Sequence, residues 1–210
     1  MSTQIIESPQ ELEEHIIKLI AIEPRFALVY EQVGVPSLRH NAGGFKQLMR
    51  AMVGQQLSVA AAASIWQRLV DADLTNPQAI TEATDETLRT QGLSKQKIRY
   101  TRSLVDHDID FVALETMTNE DVTKTLTAVT GIGRWTAEMY LLFSLKRADV
   151  LAVDDLAIKV AAMQLLDLTE RPTPKQLKIL IEVWSPHLSA ASLLLWAHYG
   201  LLRKKTAVPL

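Results

Sequence analysis

Apolar residues recur at helical spacing along almost the whole chain, and this pattern limits the fold more than any other feature. In the segment SVAAAASIWQRLV, the residues that share one helix face are Ala62, Ile65, Trp66, Leu69 and Val70. Two-residue alternation with β-branched residues, which is typical of strands, is nearly absent. The sequence therefore predicts an all-α fold with a core of regular apolar stripes.

The periodicity predicts about a dozen helices joined by short polar connections. Their predicted bounds are 9–22, 24–33, 44–54, 58–71, 76–82, 85–91, 95–107, 118–127, 134–146, 155–166, 174–184 and 189–203. Thr173 is the predicted N-cap of the helix that Pro174 opens. Trp66 and Trp184 lie on regular apolar stripes, so we expect both in the core.

Composition excludes several classes of site. The chain has no cysteine, which rules out disulfides, thiolate metal sites and a cysteine nucleophile. The histidines do not have ligand spacing with a carboxylate, so we predict no metal. We expect no cofactor either. The acidic N-terminus does not resemble a signal peptide, and we expect no membrane span. The net charge of −2 means that any nucleic-acid binding must use local groups or backbone amides.

The stretch VTGIGR separates two helical patterns, NEDVTKTLTAV and RWTAEMYLLFSL. Glycines at 131 and 133 allow positive φ and a close approach of the backbone to a partner. The second helix starts near Arg134, and a helix N-terminus beside glycines suits an anion such as a DNA phosphate. A bare glycine pair would also suit a tight connection between helices that binds no ligand.

An aspartate pair follows about twenty residues after the glycine turn. The short apolar run VLAV ends in Asp154 and Asp155, and a helix comes next. Either aspartate could serve only as an N-cap, which stabilises a helix by roughly 0.5–2 kcal/mol.

Four segments together resemble the helix-hairpin-helix DNA glycosylase superfamily, and the resemblance runs from about residue 10 to 203. The hairpin match is L-x-x-x-x-G-I-G-R-W-T-A over 126–137, and the others are FKQLMRAMVGQQLSVAAAASIWQRL, QGLSKQKIRYTRSL and VWSPHLSAASLLLWAHYG. GIGRWTA and the aspartate pair are most similar to the 3-methyladenine DNA glycosylase II branch. One departure is Leu188, beside His187, in place of a family arginine, and it puts the role of that arginine in doubt.

The resemblance implies a single unit over 1–210 with two helical lobes and a cleft between them. Lobe one would span about 45–150, including the hairpin at 118–146, and lobe two would combine 1–44 with 151–210. Alignment of the helix that follows the aspartate pair places the family's catalytic aspartate at Asp155, at the mouth of the cleft. Asp154 would then be a supporting or alternative catalytic residue.

The resemblance also implies roles in DNA binding. The DNA phosphate would contact Gly131, Gly133 and Arg134; the wedge that fills the gap left by an extruded base would be Gln56 or Leu57; and the base pocket would contain Trp135, Tyr140 and Trp196. Tyr140 is chosen from helix geometry, whereas both tryptophans match family positions. Trp135 also occupies the position of the lysine nucleophile of the bifunctional members, which indicates a glycosylase without lyase activity.

The sequence therefore predicts a monomeric, intracellular enzyme that acts on double-stranded DNA with alkylated bases, in the cytoplasm and at the nucleoid in a bacterium. It would flip out alkylated purines such as 3-methyladenine and excise them by hydrolysis, as the first step of base excision repair. One alternative is a non-catalytic helix-hairpin-helix DNA-binding protein in which the aspartate pair is only a cap. The other is a glycosylase for other lesions, such as uracil or deaminated purines.

Overall fold

A computed structural model describes residues 4–206, with side chains described as far as Arg203, and it confirms the all-α prediction. The described α-helices are α1 Pro9–Ile22, α2 Phe26–Val33, α3 Gly44–Gly54, α4 Val59–Asp71, α5 Pro77–Glu82, α6 Asp85–Thr90, α7 Lys95–Asp106, α8 Asn119–Ala128, α9 Arg134–Phe143, α10 Leu156–Leu165, α11 Pro174–Leu180 and α12 Leu188–Thr206. Short 3-10 helices at Ala113–Glu115 and Glu182–Trp184 complete the described elements. Among these helices, none is long and apolar enough to cross a membrane.

Side-chain caps fix where the helices begin. Ser8 accepts a hydrogen bond from the backbone of Glu11, whose carboxylate in turn accepts from the backbone of Ser8, so α1 opens with a complete capping box. Thr173 and Gln176 form the same arrangement at α11, which confirms the predicted cap and the place of Pro174 in the first turn. Each such cap satisfies N–H groups that have no acceptor within the helix.

The described part of the chain divides into two compact units, residues 4–40 with 141–206, and residues 41–140. We describe each by itself and call them unit 1 and unit 2. In unit 1, Trp184 is fully buried and lies edge-on to Phe26, with ring centroids 4.9 Å apart. In unit 2, Trp66 is buried with the guanidinium of Arg50 over its ring. Both tryptophans are therefore core residues, as predicted.

Two helices, α9 and α11, end well before their predicted last residues. α9 stops at Phe143 instead of 146, because Lys146 takes a left-handed φ of +56° and the next N–H, that of Arg147, turns back to Leu141 O at 3.0 Å. α11 stops at Leu180 instead of 184. The chain then tightens into the 3-10 turn that delivers Trp184 to the core. Neither ending has a glycine to mark it in the sequence.

A histidine pair joins α1 to the start of α12 within unit 1. The Nδ1 atoms of His15 and His187 lie 2.8 Å apart, so one ring donates a proton and the other accepts it. Desolvation by burial lowers the pKa of both histidines. The pKa of His15 is lowered further by His187, and Lys18 lowers both. Two protonated rings could not share this hydrogen bond.

We expect acid to destabilise unit 1 through this pair. The folded-state pKa values lie below the ordinary value near 6.5, so the unfolded chain binds more protons and stability falls as pH drops below about 6.5. Thermal unfolding from pH 7.5 to 5.5 should show a falling Tm, with a shallower slope in His15→Gln. The matched control is His107→Gln, in unit 2, which should keep the wild-type slope. An unchanged slope in His15→Gln would contradict this assignment.

Candidate functional site

The glycine turn lies between α8 and α9, as predicted, and one of its glycines is sterically required. Thr118 caps α8 by accepting the N–H of Asp121. Gly131 has a φ of +97°, and a Cβ added to it would come within 2.3 Å of Cγ of Tyr100 on α7. Both the backbone conformation and the closeness of the ring therefore make any side chain at this position strained.

Gly133 does not take the positive φ that a glycine allows. Its φ lies outside the left-handed region, and its carbonyl accepts the N–H of Ala137, so it directly precedes α9. Gly133 is exposed, and a Cβ added there would meet no described atom within 4 Å. The absence of a side chain instead leaves open space at the start of the helix, where an external group can approach the backbone.

The first residues of α9 are exposed. Arg134 Nε donates to Glu138 Oε1 at 2.9 Å, and this ion pair joins a half-exposed guanidinium to a buried carboxylate. Trp135 follows with 47% of its surface exposed. The pair holds the Arg134 side chain along the first turn of α9, at the same end of the helix as Gly133.

The turn at 55–57, between α3 and α4, contains the predicted wedge residues. Gln56 is exposed and takes a φ of +56°, a left-handed conformation that costs a non-glycine residue roughly 1–2 kcal/mol. Leu57 is 39% exposed, and Ser58 caps α4 behind it. Gln55 Nε2 donates to Gly131 O at 2.9 Å, so this turn contacts the glycine turn directly.

Tyr140 is buried, unlike the exposed Trp135 on the same helix. Its hydroxyl accepts the N–H of Gly44 at 2.8 Å, at the first residue of α3, and its ring lies 6.4 Å from that of Phe111. Burial raises the pKa of Tyr140, while the bond from Gly44 acts in the opposite direction. These contacts are those of a packing residue, and contact of Tyr140 with a base stays a prediction.

The aspartate pair lies in unit 1, and its two members differ. Asp155 caps α10: its Oδ1 accepts the N–H of Ile158 at 3.0 Å and the indole Nε1–H of Trp196 at 3.2 Å. The Trp196 ring is stacked on Phe143, with centroids 6.0 Å apart and an interplanar angle of 22°. Two rigid donors therefore fix the orientation of a half-buried carboxylate.

Asp154 is exposed and does not cap α10, which corrects the expectation that it could be the capping neighbour. Trp196, predicted as part of a base pocket, contacts the predicted catalytic carboxylate instead through its indole N–H. Its contact with a base stays a prediction. The structure thus brings Asp155 and Trp196 together within unit 1, and it brings the 55–57 turn to the glycine turn within unit 2.

Sequence reasoning assigned no role to three residues that hold the glycine turn. Tyr100 packs against Gly131, Ser103 Oγ accepts the N–H of Thr130 at 3.0 Å, and Gln55 binds Gly131 O. Tyr100 and Ser103 are three apart on α7 and so share a face. That spacing was a signal in the sequence, but it does not say which distant segment the face contacts.

The comparisons with known proteins agree on one family. Residues 49–187 match the model of the HhH-GPD superfamily base excision DNA repair proteins. The chain is 34% identical over 161 residues to DNA-3-methyladenine glycosylase 1 of Schizosaccharomyces pombe, a match covering 72% of this chain and 71% of the relative.

Solved structures give the same result. The crystal structure of a DNA-3-methyladenine glycosidase from Bacillus halodurans is 34% identical, with a TM-score of 0.83, and the match covers 98% of this chain and 95% of that one. The S. pombe 3-methyladenine DNA glycosylase in complex with abasic DNA is 31% identical, with a TM-score of 0.70, and the match covers 87% of this chain and 95% of that one. The chain belongs to the HhH-GPD superfamily of base excision DNA repair proteins.

Proposed function

We propose that this protein is a DNA glycosylase of the 3-methyladenine II type, which excises alkylated purines from double-stranded DNA by hydrolysis. The names of the S. pombe and B. halodurans relatives support the substrate class. The observation that carries the catalytic part is the geometry of Asp155, a carboxylate held by Ile158 N–H and by the indole N–H of Trp196. A simple helix cap needs only the first of these two donors.

The chemistry requires little more than a fixed negative charge. Alkylation at N3 or N7 makes the purine cationic. When the bond between C1′ and the base breaks, its electron pair goes to the base, which leaves as a neutral molecule. Positive charge develops on the sugar, and the Asp155 carboxylate stabilises it. Water oriented by the same carboxylate then bonds to C1′ and transfers its proton to that carboxylate, which later releases it to solvent.

The glycine turn supplies the phosphate contact in this proposal. The start of α9 offers N–H groups and a helix dipole to an anion, and the open space at Gly133 admits the DNA backbone. Arg134 adds a half-exposed guanidinium beside it. The S. pombe relative in complex with abasic DNA supports binding of this kind.

The 55–57 turn supplies the wedge. Extrusion of a base costs a few kcal/mol of lost stacking, and an inserted side chain offsets part of that cost. Gln56 is exposed in a left-handed conformation, as strained residues at functional sites often are. Leu57 is the second choice, and the exposed ring of Trp135 offers a surface on which an electron-poor base could stack.

The enzyme is proposed to have no lyase activity, because Trp135 cannot form a Schiff base. We also propose that the enzyme is a monomer and that it acts on intracellular DNA. Treatment of reaction mixtures with borohydride should therefore trap no covalent complex between the protein and abasic DNA, and the abasic strand should stay uncut. A trapped complex would contradict the hydrolytic assignment.

We expect Trp196→Phe to impair catalysis more than binding. Phenylalanine preserves an aromatic ring against Phe143 but removes the indole N–H that orients Asp155, so kcat should fall about 3- to 20-fold with little change in KM. Steady-state kinetics on methylated DNA measure both constants. Trp66→Phe, at a tryptophan in the core of unit 2, is the matched control and should leave kcat near the wild-type value. A rise in KM alone would instead favour contact of Trp196 with the base.

Incubation with methylated duplex DNA, followed by identification of the released bases by chromatography and mass spectrometry, tests the proposal. Release of 3-methyladenine supports it. DNA binding without release of any base would favour a non-catalytic binding protein, and release only of uracil or hypoxanthine from suitable duplexes would favour a glycosylase for other lesions.

A further inference from the structure

One face of α7 contacts both the glycine turn of unit 2 and the end of α3 that leads into the 55–57 turn. Lys97 Nζ donates to Val53 O in the last turn of α3, immediately before the 55–57 turn. One turn of α7 later, the ring of Tyr100 packs against Gly131, and Ser103 Oγ then accepts the N–H of Thr130. The spacing i, i+3, i+6 places these three side chains in one row.

Gln55 joins the two turns to each other. Its Nε2 donates to Gly131 O at 2.9 Å, across 76 residues of sequence, and both residues are half-buried. The next residue, Gln56, points its exposed side chain away from the core in a left-handed backbone conformation. The bond from Gln55 therefore anchors the residue that precedes the strained position.

Apart from the Gln55 bond and the contacts with α7, the bonds that the described structure shows within the two turns are local. Leu57 N–H donates to Gly54 O at 3.3 Å within the first turn, and Ile132 N–H donates to Val129 O at 3.0 Å within the second. Such bonds shape each turn but do not fix one relative to the other. Gln55 is the side chain that bonds the 55–57 turn directly to the glycine turn.

We propose that Gln55 is a positioning residue that locks the wedge turn at 55–57 to the phosphate-binding turn at 129–133, so that phosphate contact and wedge insertion occur as one event. The inference rests on the proposed function, since it takes the two turns as the wedge and the phosphate contact. In physical terms, the inference states that the two turns are coupled, so that a change which loosens one turn also loosens the other.

Gln55→Met and Gln55→Asn test this coupling. Methionine keeps the length of the side chain but removes the donor, and asparagine keeps the amide but is one methylene too short to reach Gly131 O. If the methionine variant fails to fold, the asparagine variant carries the test. The matched control is Gln78→Met on α5, because Gln78 also donates to a neighbour, Glu82 Oε1 at 2.9 Å, but within its own helix.

Hydrogen exchange without DNA measures the mechanical link. The amides of Thr130 and Ile132 should exchange about 3- to 10-fold faster in either Gln55 variant, together with that of Leu57. The lost hydrogen bond loosens both turns, although their contacts with α7 remain. Gln78→Met should leave all three amides at wild-type rates. Unchanged exchange at Thr130 and Ile132 in both Gln55 variants overturns the inference.

A double-mutant cycle on duplex DNA with an abasic-site analogue measures the functional link. Gln56→Ala should weaken binding about 5-fold in the wild type but less than about 2-fold when Gln55→Met is already present. If the two substitutions weaken binding independently, so that their fold-changes multiply, the inference is overturned. It is also overturned if Gln56→Ala alone leaves binding unchanged. A wild type that passes both tests but releases no methylated base would overturn the proposed function and leave this coupling standing.

Discussion

Gly131→Ala is expected to lower the Tm by about 5–15 °C and to abolish most DNA binding. A left-handed φ costs alanine about 1–2 kcal/mol, and the new methyl group would lie 2.3 Å from the Tyr100 ring, where overpacking adds about 1–3 kcal/mol. A loss of about 1 kcal/mol shifts the Tm of a chain of this size by roughly 2–4 °C. Thermal unfolding and titration of abasic duplex DNA measure the two effects.

Gly133→Ala is the matched control, two residues further along the same turn. A Cβ there meets no described atom within 4 Å and φ is not left-handed, so the Tm should change by less than about 2 °C. DNA affinity should nevertheless fall, because the methyl group would occupy the open space in which we propose that the DNA backbone lies. Equal Tm losses in the two variants would contradict the assigned difference between the glycines.

The sequence was sufficient to predict the local features of the fold. Helix periodicity, the Thr173 cap and the turn before Arg134 all depend on residues close together in the chain. It was also sufficient for family membership: the resemblance based on the hairpin string and three further segments agrees with the family match over residues 49–187. The ends of α9 and α11 could not be predicted from the sequence, because a lysine with a left-handed φ and a 3-10 turn end these helices and no glycine marks them.

The site residues were harder to predict, because their roles depend on distant contacts. Nothing in the sequence shows that the Tyr100 ring packs against Gly131, or that the side-chain amide of Gln55 donates to the Gly131 carbonyl. Trp196 was read as an aromatic surface for a base, since residue type alone does not show that its N–H faces Asp155. Helix geometry alone assigns Tyr140 to the base pocket, but it cannot show that the hydroxyl of Tyr140 accepts a hydrogen bond from the N–H of Gly44.

Asp155→Asn is expected to reduce excision of 3-methyladenine by about 10²- to 10³-fold, because it removes the charge that we propose stabilises the developing cation. Asparagine keeps an oxygen at Oδ1, so it can still accept from Ile158 N–H and Trp196 Nε1–H. Asparagine is also as good an N-cap as aspartate. The fold and the affinity for abasic DNA should therefore stay close to those of the wild type.

Asp154→Asn is the control for the neighbouring carboxylate. Asp154 is exposed and does not cap α10, so its loss should change excision less than about 3-fold by weakening a screened surface charge. A larger loss in Asp154→Asn than in Asp155→Asn would move the catalytic role to Asp154. Equal, small effects in both would indicate that Asp155 serves only as the cap of α10.

The most direct measurement is the single-turnover rate of 3-methyladenine release from a methylated duplex, with wild type and Asp155→Asn compared in enzyme excess. Saturating enzyme removes differences in binding, so the rate reports the bond-breaking step alone. We predict prompt release by the wild type and a rate at least about 100-fold lower for Asp155→Asn at unchanged Tm. Release by Asp155→Asn within a few-fold of the wild type, or no release by either protein, would contradict the account.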